Sequence, residues 1–457
     1  MKYKLENGWT KEIDKSAVYE YANGYKRFLN IAKTERESVA EAVKMAQEKG
    51  FKSLSEFGTL KAGDRFYCVN RGKEIIAGII GEESIEDGVN IVGSHVDAPR
   101  LDLKQNPLYE DSEMAYFKTH YYGGIKKYQW TAVPLALHGV VVKKDGTSVN
   151  IRIGDETDDV TFVITDLLPH LASEQMKKTA SEIIEGEGLN LLIGSAPVKG
   201  ENDETELVKQ NILAILNEKY GITEEDFLSA EIEAVPAANA KDIGFDRSMI
   251  GSYGHDDRVC AYPNLTALLS TEKCKKTALC LLTDKEEVGS MGNTGAKSNF
   301  LRLVLAELLE KSGAGASPVK LLRCLDKSFC LSADVNAAFD PNFPSVYDKR
   351  NAGRINYGIT VSKYTGARGK GGSNDASAEY MAKVRNIFDG AGVLWHTAEL
   401  GKVDIGGGGT IAQYMSNLGI ETVDCGVSVL SMHAPFEVVA KLDVYMTYKA
   451  FCAFFKS

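Results

Sequence analysis

The acidic pair in Thr283-Asp284-Lys285-Glu286-Glu287-Val288-Gly289-Ser290 follows directly on an apolar run at 277–282 that reads as a buried strand. Two adjacent carboxylates in that position are costly to hold together unless positive charge lies between them or one keeps a proton. A metal ion would supply that charge. An isolated Glu-Glu pair is ordinarily a solvated turn, so the rest of the chain has to decide. His95 and Asp97 follow the apolar residues 89–92, Asp334 follows 327–331, and His433 follows 422–430. Asp256 lies in Gly254-His255-Asp256-Asp257-Arg258, just ahead of a helical pattern. Two histidines and several carboxylates are the ligands a pair of Zn²⁺-like ions would use, with one carboxylate shared. Such ligands also accept Co²⁺ or Mn²⁺. Asp97, two residues beyond His95, is within range to fix the tautomer of a metal-bound imidazole. Taken singly, each histidine could be a satisfied core or surface residue, Asp256 a helix cap and Asp334 a turn opener. The case rests on the set.

Strand-helix alternation must position these residues. Strands are expected at 66–69, 74–80, 89–92, 277–282, 327–331, 356–361, 392–396 and 422–430. Helices are expected within 21–29 and at about 35–49, 263–270, 299–312, 376–387, 410–418 and 442–455. That is an α/β layout with a mixed, mostly parallel sheet flanked by helices, in which ligands collect at the carboxyl ends of strands. Between about 106 and 236 the character changes to a β-rich insertion. It includes a hairpin at 140–153 with Asp145-Gly146 suited to a type I′ turn, a strand at 160–164, a helix at 207–216 and a strand at 227–235. The expected domains are a catalytic part over 1–105, the insertion over 106–238 and a second catalytic part over 239–457. At 457 residues the chain has room for two domains.

Composition narrows the class. A net charge of −10 argues against a nucleic-acid or anionic-membrane surface. No apolar run approaches the ~20 residues of a spanning helix. The first eight residues lack the apolar core of a secretion leader, and the eight cysteines are scattered without a Cys-x-x-Cys pair. Reduced thiols and a cytoplasmic enzyme are therefore expected. The glycine-rich stretch 289–298 is not a P-loop, because Ala296 separates Gly295 from Lys297.

The motifs Gly93-Ser94-His95-Val96-Asp97-Ala98-Pro99, Asp284-Lys285-Glu286-Glu287-Val288-Gly289-Ser290, Ser332-Ala333-Asp334-Val335-Asn336 and Ser431-Met432-His433 together resemble the aspartyl aminopeptidase family, di-zinc exopeptidases related to the tetrahedral aminopeptidases. The resemblance runs from the His95 segment to the C-terminus. It implies that His95, Asp256 and Asp334 hold one ion, that Asp256 bridges to a second held by Glu287 and His433, and that Glu286 is the general base with Asp97 behind His95. It also implies two Zn²⁺ per subunit and a zinc-exopeptidase-like fold. The inserted domain would mediate self-association into a large homo-oligomer, a tetrahedral dodecamer. His170, in Pro169-His170-Leu171-Ala172, resembles a histidine that reaches a neighbouring subunit's active site. Arg368 and Lys370 lie where the family places its specificity lysine, which would favour acidic N-terminal residues. Two departures stand out: His255-Asp256-Asp257-Arg258 replaces the family's usual Leu-Asp-Asn, and Ala337-Ala338-Phe339-Asp340 replaces its Ala-His before Pro-Asn.

The expected activity is hydrolysis of the N-terminal residue from peptide substrates, with no nucleic acid and no membrane as partner. Two alternatives stay open. One is a metal-dependent deacylase or carboxypeptidase of the same clan, which would cleave N-acetylated substrates but not free-amine peptides. The other is a non-catalytic assembly or cargo protein on the same scaffold, against which the complete ligand set and Glu286 argue.

Overall fold

A computed structural model describes residues 5–155, 159–199 and 205–457; Met1–Lys4, part of the stretch read for a leader, lie outside the described residues. The chain divides into two compact units. The first comprises Met1–Ala98, Ala240–Met432 and Glu437–Ser457, and the second Pro99–Asn239 with His433–Phe436.

The first unit is built on a nine-stranded sheet: β1 (Lys52–Ser53), β2 (Arg65–Asn70), β3 (Glu74–Ile79), β4 (Asn90–His95), β5 (Ala278–Thr283), β6 (Phe329–Ala333), β7 (Ile359–Ser362), β8 (Trp395–Thr397) and β9 (Glu421–Gly426). Their spatial order is β1-β2-β3-β5-β4-β6-β9-β7-β8. The central run β5-β4-β6-β9 is parallel, with antiparallel pairs at β2-β3, β3-β5 and β9-β7. Every residue of β3, β4 and β5 is buried, as expected of strands covered on both faces. One face packs against helices Lys15–Ile31, Glu35–Glu48, His255–Ser270, Ala378–Gly390 and Lys441–Lys456, through residues such as Phe28, Val39, Leu265, Phe388 and Phe451. The other packs against Phe300–Lys311, Pro318–Asp326 and Ala412–Ser416 through Leu305, Cys324 and Met415. This is the mixed α/β sheet with flanking helices that the strand-helix alternation requires. All eight cysteines are free.

Local differences from the sequence reading have physical causes. The apolar stretch 422–430 is two strands, β9 and Ser428–Leu430; the second pairs with Glu437–Ala440 in a separate five-stranded sheet of this unit. The helix expected from Pro263 begins at His255, with Pro263 inside it, and Asp256 and Asp257 keep non-helical backbone angles. Helix Pro318–Asp326 was not expected from periodicity; Ser317 caps it by accepting the Lys320 N–H, and a proline opens it.

The second unit is a six-stranded, wholly antiparallel sheet with the helix Leu207–Tyr220. Its hairpin Leu135–Val142/Ser148–Ile153 closes through five residues, and only Gly146 of the Asp145-Gly146 pair has positive φ, so the turn is not type I′. Residues 160–164 contribute isolated bridges at Phe162 and Val163 rather than a strand.

Candidate metal centre

Register brings the chemistry to one edge of the sheet. Thr283 of β5 pairs with His95 of β4, and Ser332 of β6 pairs with Gly93, so the residues just past β5 and β6 emerge level with His95. The side chains of His95, Asp256 and Asp334 converge there, with ligand atoms all within 4.8 Å of one another; His95, Glu286 and Glu287 form a second such group. His95 Nε2 lies 3.1 Å from Asp256 Oδ1, 3.7 Å from Asp334 Oδ1 and 3.9 Å from Glu286 Oε2.

His95 is fully buried, and its Nδ1 faces the Asp97 carbonyl oxygen at 3.0 Å and the Asp97 carboxylate Oδ1 at 3.1 Å. Both are acceptors, so Nδ1 carries the proton and the Nε2 lone pair points at the carboxylates. Burial alone would lower the His95 pKa. Hydrogen bonds to Asp256, Asp334 and Asp97 outweigh it and hold the pKa well above the usual imidazole range. The surroundings therefore demand positive charge at Nε2, and a divalent cation bound to that lone pair meets the demand. An imidazole backed by a carboxylate, facing further carboxylates, is a donor set that fits zinc.

The Glu pair reaches this edge through a turn. Lys285 takes a left-handed conformation (φ 64°, ψ 20°), Glu286–Val288 forms one turn of 3₁₀ helix, and Gly289 leaves it at φ 89°. An extended chain would have pointed the two side chains to opposite faces. The turn is pinned from below by Asp97, whose Oδ1 accepts the Glu286 N–H and whose Oδ2 accepts the Glu287 N–H, each at 3.1 Å. Burial raises the Glu286 pKa well above the usual carboxylate range, and the Asp334 carboxylate adds to the shift. Burial also raises Asp334.

Asp256 sits between two buried neighbours. Its N–H donates to Glu437 Oε2 at 3.2 Å, while Asp257 Oδ2 accepts the His95 N–H at 3.3 Å. Burial pushes His255 down to about 3, so its ring is neutral. Glu437 and Asp257 were not singled out from sequence. Asp257 had the signal of adjacency to Asp256, whereas Glu437 is one carboxylate at the start of an apolar strand and gave none.

His170, Arg368 and Lys370 are not among the grouped ligand residues. His433 has φ 64° and its Nδ1 faces the Gly124 carbonyl at 2.8 Å, both within the second unit. His170 is exposed on a loop of that unit. Arg368 and Lys370 line a cavity of about 160 Å³ with Tyr364, Glu399 and Lys402, and none of its lining residues belongs to the ligand groups above. Lys370 Nζ is 2.9 Å from Asp375 Oδ2 and sits 3.7 Å above the Tyr364 ring, so its charge is already matched within the loop.

Residues 28–455 match the family model of the aminopeptidase I zinc metalloproteases, M18. The chain belongs to the M18 family of zinc aminopeptidases. A curated relative from Clostridium acetobutylicum, described as a probable M18 family aminopeptidase 1, is 51% identical over 457 residues, covering 99% of this chain and 98% of its own. The crystal structure of an M18 aminopeptidase from Thermotoga maritima superposes with a TM-score of 0.96 at 46% identity over 100% of both chains. A structure of the S. cerevesiae mApe1 dodecamer covers 95% of this chain and 96% of its own with a TM-score of 0.74; at 23% identity that likeness is one of fold. This M18 chain is thus a metallo-exopeptidase with an α/β fold. Among the described residues no helix is long and apolar enough to cross a membrane.

Proposed function

We propose that this M18 aminopeptidase removes N-terminal residues from peptides at a dinuclear zinc centre, with a preference for acidic N-termini. The observation that carries the reading is the convergence of His95, Asp256, Asp334, Glu286 and Glu287 at the carboxyl ends of β4, β5 and β6. His95, Asp256 and Asp334 would hold one ion. Asp256 would be shared with a second ion held by Glu287 and His433, an assignment supported by the family resemblance.

When bound, zinc supplies a Lewis acid for the scissile carbonyl and stabilises developing negative charge. The chain's own residues do the rest. Glu286 takes a proton from the attacking water and returns it to the leaving amine, for which a carboxylate with a raised pKa is suited. Asp97 holds the His95 tautomer and the backbone beneath both glutamates. Arg368 or Lys370 would meet an acidic side chain. His170 would act in a neighbouring subunit's site within a tetrahedral dodecamer, and a cytoplasmic location is proposed on the free cysteines.

Metal-stripped enzyme titrated with Zn²⁺ tests the reading, using Asp, Glu and Leu chromogenic substrates and their N-acetylated forms. Activity on free-amine substrates should be complete at two equivalents per chain and favour Asp and Glu. Saturation at one equivalent overturns the dinuclear centre. Equal turnover of Leu and Asp overturns the acidic preference, and cleavage confined to N-acetylated substrates overturns the aminopeptidase itself. Light scattering tests for the dodecamer.

A further inference from the structure

The segment carrying Asp256 is held from behind by the N-terminal helices. His255, the residue before it, is fully buried, and both of its ring nitrogens are engaged. Nε2 faces the Ile250 carbonyl at 3.2 Å, so it carries the proton, and Nδ1 accepts from the Tyr25 hydroxyl at 2.8 Å. Tyr25 lies on helix Lys15–Ile31, fully buried, with its ring centroid 5.6 Å from that of His255. On the other side of Asp256, Arg258 donates from Nη2 to the Lys33 carbonyl at 2.7 Å, in the turn between the two N-terminal helices. Gly254 (φ 72°) completes the arrangement, because a Cβ there would lie 1.7 Å from Arg258 Nη1.

Asp256 has φ −81° and ψ 107°, so the hydrogen bonds of the helix that follows do not set its backbone. Its conformation is imposed by the ties on either side and by Glu437, which accepts its N–H. We infer that Tyr25 is a positioning residue for the metal centre: its hydroxyl fixes the His255 ring and with it the backbone from which Asp256 reaches the ion. The inference rests on the reading of Asp256 as a ligand. Tyr25 lies outside the stretch matched by the family model, which begins at residue 28.

The test is zinc affinity by chelator competition, with thermal unfolding, for the full chain and its Tyr25→Phe, Tyr21→Phe and Asp256→Asn variants. The Tyr21 hydroxyl bonds Thr266 Oγ1 at 2.7 Å between the same two helices, so Tyr21→Phe removes an equivalent bond away from the ligand segment. Tyr25→Phe should bind zinc about tenfold more weakly, the low end of what losing a ligand's supporting contact costs, while Tyr21→Phe stays within about twofold of wild type at a similar loss of melting temperature. Equal zinc affinity in the two phenylalanine variants overturns the inference and leaves the metal centre standing. Wild-type affinity in Asp256→Asn overturns the ligand assignment instead. Should Tyr25→Phe not fold, His255→Gln breaks the same link from the other side, and zinc binding within about twofold of wild type would overturn the inference.

Discussion

His95 and Glu286 are joined through a single carboxylate oxygen: Asp97 Oδ1 lies 3.1 Å from His95 Nδ1 and accepts the Glu286 N–H at 3.1 Å. One side chain therefore sets both the tautomer of a metal-facing imidazole and the position of the proposed base. Asp97→Asn turns one of its two acceptor atoms into a donor facing an N–H. Zinc affinity should fall about 10- to 100-fold, with kcat/KM falling alongside, while the fold persists. Chelator competition and circular dichroism read the two effects separately. Wild-type zinc affinity in this variant would mean that Asp97 does not orient His95.

Glu286→Gln separates proton transfer from metal binding. The amide keeps the size of the side chain and the Glu286 N–H bond to Asp97, but it cannot accept a proton. Metal content should stay unchanged while kcat drops by about 10²–10⁴-fold, the usual loss for a general base. Zinc analysis beside peptide hydrolysis checks this. A metal-loaded variant working at wild-type rate removes Glu286 from the mechanism.

Much of this edge was legible because it obeys simple rules. His95, Asp334 and the Glu pair each follow an apolar run, and parallel register delivers residues after neighbouring strands to one line. The turn at Lys285–Gly289 was foreseeable only as a requirement. Its left-handed Lys285 is set by Asp97, a residue nearly 200 positions away in the chain. The helix start at His255 was hidden because Pro263 is a plausible first-turn residue, whereas long-range ties to Tyr25, Lys33 and Glu437 extend the segment toward its N-terminus. The split of 422–430 into two strands was hidden because both halves are equally apolar, and only their partners differ.

His396 makes acid stability testable. It is buried on β8, with Nε2 accepting the Arg354 N–H at 3.0 Å and Nδ1 donating to the Tyr357 carbonyl at 3.2 Å. Burial lowers its pKa to about 4, and the Arg354 guanidinium pushes the same way. The unfolded chain, with an imidazole near ~6.5, binds more protons through the interval between these values. Stability from this group is thus fully present above about pH 6.5 and is lost as pH falls toward 4, by roughly 3 kcal/mol at the lower end. Urea unfolding of metal-free protein between pH 7.5 and 4.5 measures the slope. His396→Gln should flatten it, and an unchanged slope would place the acid lability elsewhere.

Specificity is expected to divide unevenly between the two loop cations. The Lys370 ammonium is engaged by Asp375 and by the Tyr364 ring, and Lys363 pairs with the same Asp375. The Asp375 hydrogen bond raises the Lys370 pKa, so its positive charge is stabilised inside the loop rather than left for a substrate. Arg368 lines the same cavity, and a guanidinium can grip a carboxylate through two parallel bonds. Arg368→Ala should therefore lower kcat/KM for Asp substrates relative to Leu substrates by about tenfold, the scale of one charge-assisted contact, and Lys370→Ala by less than about threefold. Paired kcat/KM measurements on Asp and Leu chromogenic substrates decide between them. A larger loss in Lys370→Ala would mean that substrate displaces Asp375 from the lysine, and an unchanged ratio in both would move the acidic pocket away from this loop.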